Sequence, residues 1–152
     1  MIVRNGGLDH PATAALLTAH LADMYASSPP DSVYALDLSG LGAPDIAFFT
    51  AWDSDTLLGC GALRTLKDGD GEIKSMRTAP DHLRRGVGRA ILEHLIALAR
   101  TRGYERVSLE TGTAAMFAPA NRMYERTGFV DGPVFGGYPE SPHNRFMTLP
   151  LG

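Results

Sequence analysis

Glu72-Ile73-Lys74-Ser75-Met76-Arg77-Thr78-Ala79-Pro80, then Leu83-Arg84-Arg85-Gly86-Val87-Gly88-Arg89-Ala90, is the stretch on which the fold turns. Strand-like residues run into a glycine-containing loop, and the loop opens a helix. A helix start carries unpaired N–H groups and partial positive charge, so a strand, loop and helix in this order suit an anion such as phosphate. Arg84, Arg85 and Arg89 crowd that helix start, where cations are unfavourable unless an anion is bound. The same residues also read as a solvated arginine cluster beside a glycine turn.

Working outward, Val87, Ile91, Leu95 and Leu98 recur at helical spacing, widened by Leu92 and Ile96, and Gly103 is placed to end the helix. Arg106 to Thr111 follows as a strand. Strand, helix and strand predict two parallel strands joined by a right-handed crossover. Upstream, Asp45 to Trp52, Leu57 to Leu66 and Glu72 to Thr78 read as an antiparallel meander. Gly59 and Gly61 permit close packing or a bulge. Met1 to Arg4 reads as a first strand. Asp9 is the expected N-cap of a helix with Pro11 in its first turn and Leu16, Leu17, Leu21, Met24 and Tyr25 as its apolar face. Val33 to Leu38 suggests a short second helix ended by Gly40 and Gly42. Pro119 starts a last helix that Gly128 ends, with strands from Phe129 and over Asn144 to Leu149. No repeat, linker or low-complexity tract interrupts residues 1–152, so one domain is expected.

The chain has 152 residues, 44% hydrophobic and 20% charged, as in ordinary soluble domains. The net charge is −3 and the pI about 5.9, which argues against wholesale nucleic-acid binding. There is no bilayer-length apolar run and no leader-like opening, so a cytoplasmic protein without membrane association is expected. One cysteine, Cys60, rules out an internal disulfide framework and reads as a small buried core residue. The five histidines show no metal-ligand spacing, and no metal is expected. The Walker Lys-Ser/Thr pair is absent, and a dinucleotide fingerprint belongs after the first strand rather than the fourth.

The loop Leu83-Arg84-Arg85-Gly86-Val87-Gly88, the preceding Met76-Arg77-Thr78-Ala79-Pro80 and the later Tyr124-Glu125-Arg126-Thr127-Gly128-Phe129 together resemble the Gcn5-related N-acetyltransferase (GNAT) family over the whole chain. Leu83 departs from the family's Gln/Arg, and Phe117 stands where an Asn is often found. Ser28-Pro29-Pro30, Gly59-Cys60-Gly61-Ala62-Leu63 and Leu109-Glu110-Thr111-Gly112-Thr113 narrow the resemblance to a branch of small bacterial acetyltransferases. The resemblance implies an α/β fold on a mixed (α+β) sheet. An antiparallel N-terminal meander would join a parallel β-α-β unit, with a V-shaped splay between the fourth and fifth strands. It implies acetyl-CoA as cosubstrate, held by Met76, Arg77, Thr78, Arg84, Arg85, Gly86, Val87, Gly88, Arg89, Ala90, Thr111 and Tyr124. It also leaves a homodimer open, although no self-complementary patch is visible in the sequence.

The implied reaction moves an acetyl group to an amine by direct attack in a ternary complex. An ammonium has a reference pKa of about 10.4, so a base must take its proton. Glu72 and Glu110, on the strands flanking the cofactor, are the candidates. Alternatively, Glu72 pairs with Lys74 and Glu110 is a solvated strand-end charge. Glu72 precedes Met76 by four residues and is expected on the same strand face. Tyr124 matches the position that protonates the leaving thiolate; otherwise it is a packed helix tyrosine. Ser28, Tyr34, Lys74, Phe135 and Tyr138 are the candidate acceptor residues, the aromatics forming a wall and Lys74 holding a carboxylate. A small, amino-acid-like amine fits them. A protein amino group, or an acetyl-CoA sensor without turnover, are the alternatives.

Overall fold

The computed structural model describes residues 1–30, 36–67 and 69–152. One mixed sheet organises them: β1 (Ile2–Asn5), β2 (Ile46–Asp53), β3 (Thr56–Thr65), β4 (Gly71–Thr78), β5 (Arg106–Gly112), β6 (Val130–Asp131) and β7 (Asn144–Pro150). Their spatial order is β1-β2-β3-β4-β5-β7-β6, antiparallel throughout except for β4 beside β5. The helices are α1 (Pro11–Ser27), α2 (Leu38–Leu41), α3 (Val87–Thr101) and α4 (Ala118–Thr127). The meander, the parallel strand–helix–strand unit and the closing strands are as the sequence patterns predict.

The core lies on both faces of the sheet. Val87, Ile91, Leu92, Leu95 and Ile96 of α3 pack with Phe49, Leu58, Leu63, Ile73, Val107 and Leu109 on one face, joined by Tyr124 and Phe129. Leu16 and Leu17 of α1 pack with Phe48, Trp52, Leu57, Cys60 and Ala62 on the other. Cys60 is fully buried, and desolvation pushes its thiol up to about 12.

Several local expectations need correction. His10, not Asp9, caps α1, its Nδ1 accepting from the Ala12 N–H at 3.1 Å. The buried stripe of α1 is Thr13, Leu16, Leu17 and His20, while Tyr25 is 55% exposed. A threonine and a histidine on the inner face displace the stripe from where hydrophobicity alone puts it. The short helix starts at Leu38 rather than ending there, because Asp37 caps it through the Gly40 N–H at 2.8 Å. The earlier part of that expectation, residues 33–35, lies outside the described residues, as does Tyr34.

The decisive local feature is a bulge in β4. Cys60 pairs with Arg77 and Ala62 with Lys74, so Ser75 and Met76 together oppose Gly61. Ser75 takes φ +56°, a left-handed conformation rare for a non-glycine residue. The extra residue reverses side-chain parity. Ile73 and Met76 face α3, whereas Glu72, Lys74 and Arg77 face α1. Glu72 and Met76 therefore lie on opposite faces, contrary to simple alternation. A Cβ on Gly61 would meet Met76 Sδ at 2.6 Å and Ile91 Cγ2 at 2.7 Å. Gly61→Ala is expected to lower stability by about 1–3 kcal/mol through overpacking, measurable as a lower midpoint in urea with unchanged slope.

Candidate active site

β4 and β5 pair only from Gly71↔Val107 to Ile73↔Leu109. Beyond that they separate, since a bulge bends its strand and strengthens the local twist. The resulting splay holds a cleft of about 1220 Å³, walled by the diverging strands, the start of α3, one face of α4 and the second half of α1.

At its outer end lies the glycine loop. Arg84 (φ +63°) and Gly86 (φ +79°) are both left-handed, which curls the chain into the start of α3. A Cβ on Gly86 would meet nothing within 4 Å, so glycine is needed there for conformation rather than room. At Gly88 the reason is proximity: a Cβ would lie 3.3 Å from Met123 Sδ of α4. The first intrahelical bond runs from Ala90 N–H to Gly86 O at 3.0 Å, and no side chain caps the helix. The N–H groups of Val87, Gly88 and Arg89 thus lack protein partners among the described residues. Arg84, Gly86, Val87, Gly88 and Arg89 line the cleft; Arg85 and Ala90 do not. Arg85 turns toward His82, 3.4 Å from its Nδ1, and Arg89 pairs with Glu93 at 2.9 Å. Sequence reading missed Arg122 and Arg126 of α4, which also line this end. Their i, i+4 spacing astride Tyr124 was the available signal.

In the middle of the cleft stand Met76, Thr78, Thr111 and Tyr124. Asn121, also missed, fastens α4 to β5: its Oδ1 accepts from Thr111 Oγ1 at 2.9 Å and its Nδ2 donates to Gly112 O at 3.1 Å. The Phe117 ring packs directly on Gly112, where a Cβ would lie 2.1 Å from its Cε2. Tyr124 is buried, and desolvation raises its phenol above the ordinary tyrosine range. The hydroxyl therefore stays protonated at neutral pH.

The two carboxylates are treated very differently. Glu72 is 1% exposed, yet donors surround it. Tyr138 Oη donates to Glu72 Oε2 at 2.6 Å, Lys74 Nζ stands 3.4 Å from the same oxygen, and Arg64 Nη1 lies 3.9 Å from Oε1. Lys74 Nζ in turn donates to Tyr138 Oη at 2.6 Å. Glu110, half-buried on β5, faces the same side. Its carboxyl is raised to about 7, mainly by desolvation; Lys74 lowers it, Glu72 raises it, and a hydrogen bond with Asn144 lowers it. A carboxyl titrating near neutrality in a cleft fits a group that accepts protons at pH 7.

Of the candidate acceptor residues, Ser28 and Lys74 line the cleft. Phe135 and Tyr138 sit behind Lys74 and Glu72 in a cluster with Phe146, at ring separations of 5.6 to 6.2 Å. They back the site rather than wall the cleft. Arg77 turns its guanidinium toward α1, where Nη2 donates to Asp23 Oδ2. His20 and Met24 of α1 complete that wall. No sequence signal marked His20, because a histidine inside a helical stripe looks the same whether it packs or binds. Among the described residues no cluster of His, Cys, Asp and Glu has metal-binding geometry, and no helix is long and apolar enough to cross a membrane.

Residues 13–129 match the model of the acetyltransferase (GNAT) family. The uncharacterized N-acetyltransferase YsnE of Bacillus subtilis (strain 168) is 50% identical over 136 residues, 90% of each chain. A candidate acyl-CoA N-acyltransferase from Klebsiella pneumoniae has a crystal structure superposing with TM-score 0.82 at 27% identity, over 99% of this chain and 97% of its own. A GNAT family acetyltransferase from Elizabethkingia anophelis, crystallised with acetyl-CoA bound, shares the fold at TM-score 0.69 and 17% identity, over 98% and 97% of the two chains. On the fold, the cleft and this kinship, the chain belongs to the acetyltransferase (GNAT) family and is an N-acetyltransferase.

Proposed function

We propose that the protein transfers the acetyl group of acetyl-CoA to the primary amine of a small molecule, by direct attack with both substrates bound. What carries the reading is a carboxyl raised to about 7, Glu110, on the wall of the cleft that the start of α3 opens. Acetyl-CoA, when bound, supplies an acetyl group activated as a thioester. The N–H groups of Val87, Gly88 and Arg89, with Arg84, bind its diphosphate. The edge of β4 left unpaired by β5, from Lys74 to Thr78, offers main-chain groups to the pantetheine arm and, at Met76, an N–H to polarise the thioester carbonyl.

Glu110 takes the proton of the acceptor ammonium. Glu72 is the less available carboxylate, since Tyr138, Lys74 and Arg64 already engage its oxygens. It acts instead through Lys74 and Tyr138, and its charge helps hold Glu110 near neutrality. Tyr124 keeps its proton until the sulfur leaves and gives it up then.

Two measurements test the reading. Thermal melting with a hundredfold excess of acetyl-CoA or CoA over the dissociation constant is expected to stabilise the protein by about 2.7 kcal/mol, several degrees for a domain of this size. ATP at the same concentration should leave the midpoint unchanged. Free thiol should then appear with acetyl-CoA and members of a small-amine panel. Selective melting shifts without thiol release on any amine would sink the amine assignment.

A further inference from the structure

Buried polar groups in folded proteins nearly always find a partner, and those that do not call for an explanation. On the wall of the cleft opposite the glycine loop, His20 Nδ1, Ser75 Oγ and Arg77 Nε are buried without hydrogen bonds. Glu72 Oε1 also lacks one, but Arg64 stands across from it at 3.9 Å. His20 is 7% exposed, and Arg77 is close enough to depress its imidazole, already disfavoured as a cation by burial, to about 4. It is neutral at pH 7, so Nδ1 can carry a proton for a neighbouring oxygen. Ser75 lies in the bulge of β4, in a left-handed conformation, and Arg77 is the first paired residue beyond it. Asp23 holds Arg77 by Nη2 and so orients the guanidinium while leaving Nε–H free.

These groups make a set of hydrogen-bond donors beside one guanidinium. The charges around them nearly cancel. Asp23, Glu72 and Glu110 stand against Arg64, Lys74 and Arg77. A polycation would leave the donors unpaired, and a dianionic phosphate would face three carboxyl groups. A single planar carboxylate matches one guanidinium edge and a hydroxyl. Lys74 is the less suitable holder, because its Nζ is engaged by Tyr138 and Glu72.

We propose that the acceptor is a small zwitterion whose carboxylate is received by Arg77 and Ser75, with His20 beside them, while its amine faces Glu110. This rests on the amine-acetylation reading and names the class of amine. The test uses matched sets: L-phenylalanine, phenylalaninamide and phenethylamine, and the same three forms built on methionine. In at least one set the amino acid should exceed its amide and its decarboxylated amine at least tenfold in kcat/KM, mainly through KM. Arg77→Gln should collapse that preference to near unity, Arg77→Lys should restore part of it, and Ser75→Ala should reduce it several-fold. If amide and amine are used as well as the acid in both sets, or if Arg77→Gln lowers all three forms in proportion, the proposal is overturned. Should no form be acetylated, melting of the CoA-bound protein decides. Selective stabilisation by the amino acids upholds the carboxylate site while the amine-transfer reading fails; none removes the site as well.

Discussion

Glu110→Gln is expected to lower kcat/KM near pH 7 about a hundredfold to a thousandfold and to move its rise with pH from the carboxyl to the amine's own titration, at about 10. Positioned general bases contribute about 10²–10⁴ in rate. The Gln side chain preserves shape and cannot accept the ammonium proton. In the natural protein the active form is the carboxylate. With the group raised to about 7, kcat/KM should climb tenfold per pH unit below that value and level off above it. The variant's residual activity should show no break near 7 and should keep rising until the amine itself loses its proton, at about 10.

The same substitution has a stability signature of defined sign. The folded carboxyl binds its proton more tightly than the unfolded one, whose ordinary value is 4.5. As pH rises from 4.5 through 7, the unfolded state ionises first, so folding loses stability across that window. Glu110→Gln removes the loss. The variant should melt a few degrees above the natural protein at pH 8, and the difference should vanish toward pH 4.5. A variant that is less stable at pH 8 would overturn this account of the carboxyl, and one that keeps the break near 7 would transfer the base role away from Glu110.

The second large effect belongs to Tyr124. Tyr124→Phe is expected to lower kcat about tenfold to a hundredfold while leaving CoA affinity within a factor of two. Burial keeps the phenol protonated, and the hydroxyl makes no hydrogen bond among the described residues that would hold it for the fold. The ring carries the packing, against Phe129 at 5.9 Å, and Phe keeps it. Loss of rate with retained binding is the mark of a group used only as the thiolate leaves. Equal loss in both, read from single-turnover kinetics and CoA titration, would make Tyr124 a binding residue instead.

The order of elements was legible because periodicity and breakers act locally. Val87, Ile91 and Leu95 mark α3 by spacing, and Gly103 and Gly128 sit at left-handed positions just past their helices. The Arg-rich loop and the Tyr124 segment were equally legible as a phosphate-type helix start and a family signature. The two candidate bases could be named but not ranked from sequence. What favours Glu110 in the proposed ranking is the set of contacts from Glu72 to Tyr138, Lys74 and Arg64, and these bring together residues far apart in the chain.

By itself, then, the sequence determined the strand and helix order, the parallel unit, the glycine loop that opens α3 and the family. The element order rests on short-range spacing, which the chain carries explicitly, and the family on the likeness of its loop and Tyr124 segment to known motifs. The tertiary structure decided which way β4 faces past Ser75, that burial raises the Glu110 carboxyl, and that His20, Arg77 and Glu110 line one cleft. One left-handed residue reverses every side chain beyond it. Burial, which sets how a carboxyl titrates, depends on neighbours brought in from α1, β7 and the loop before it.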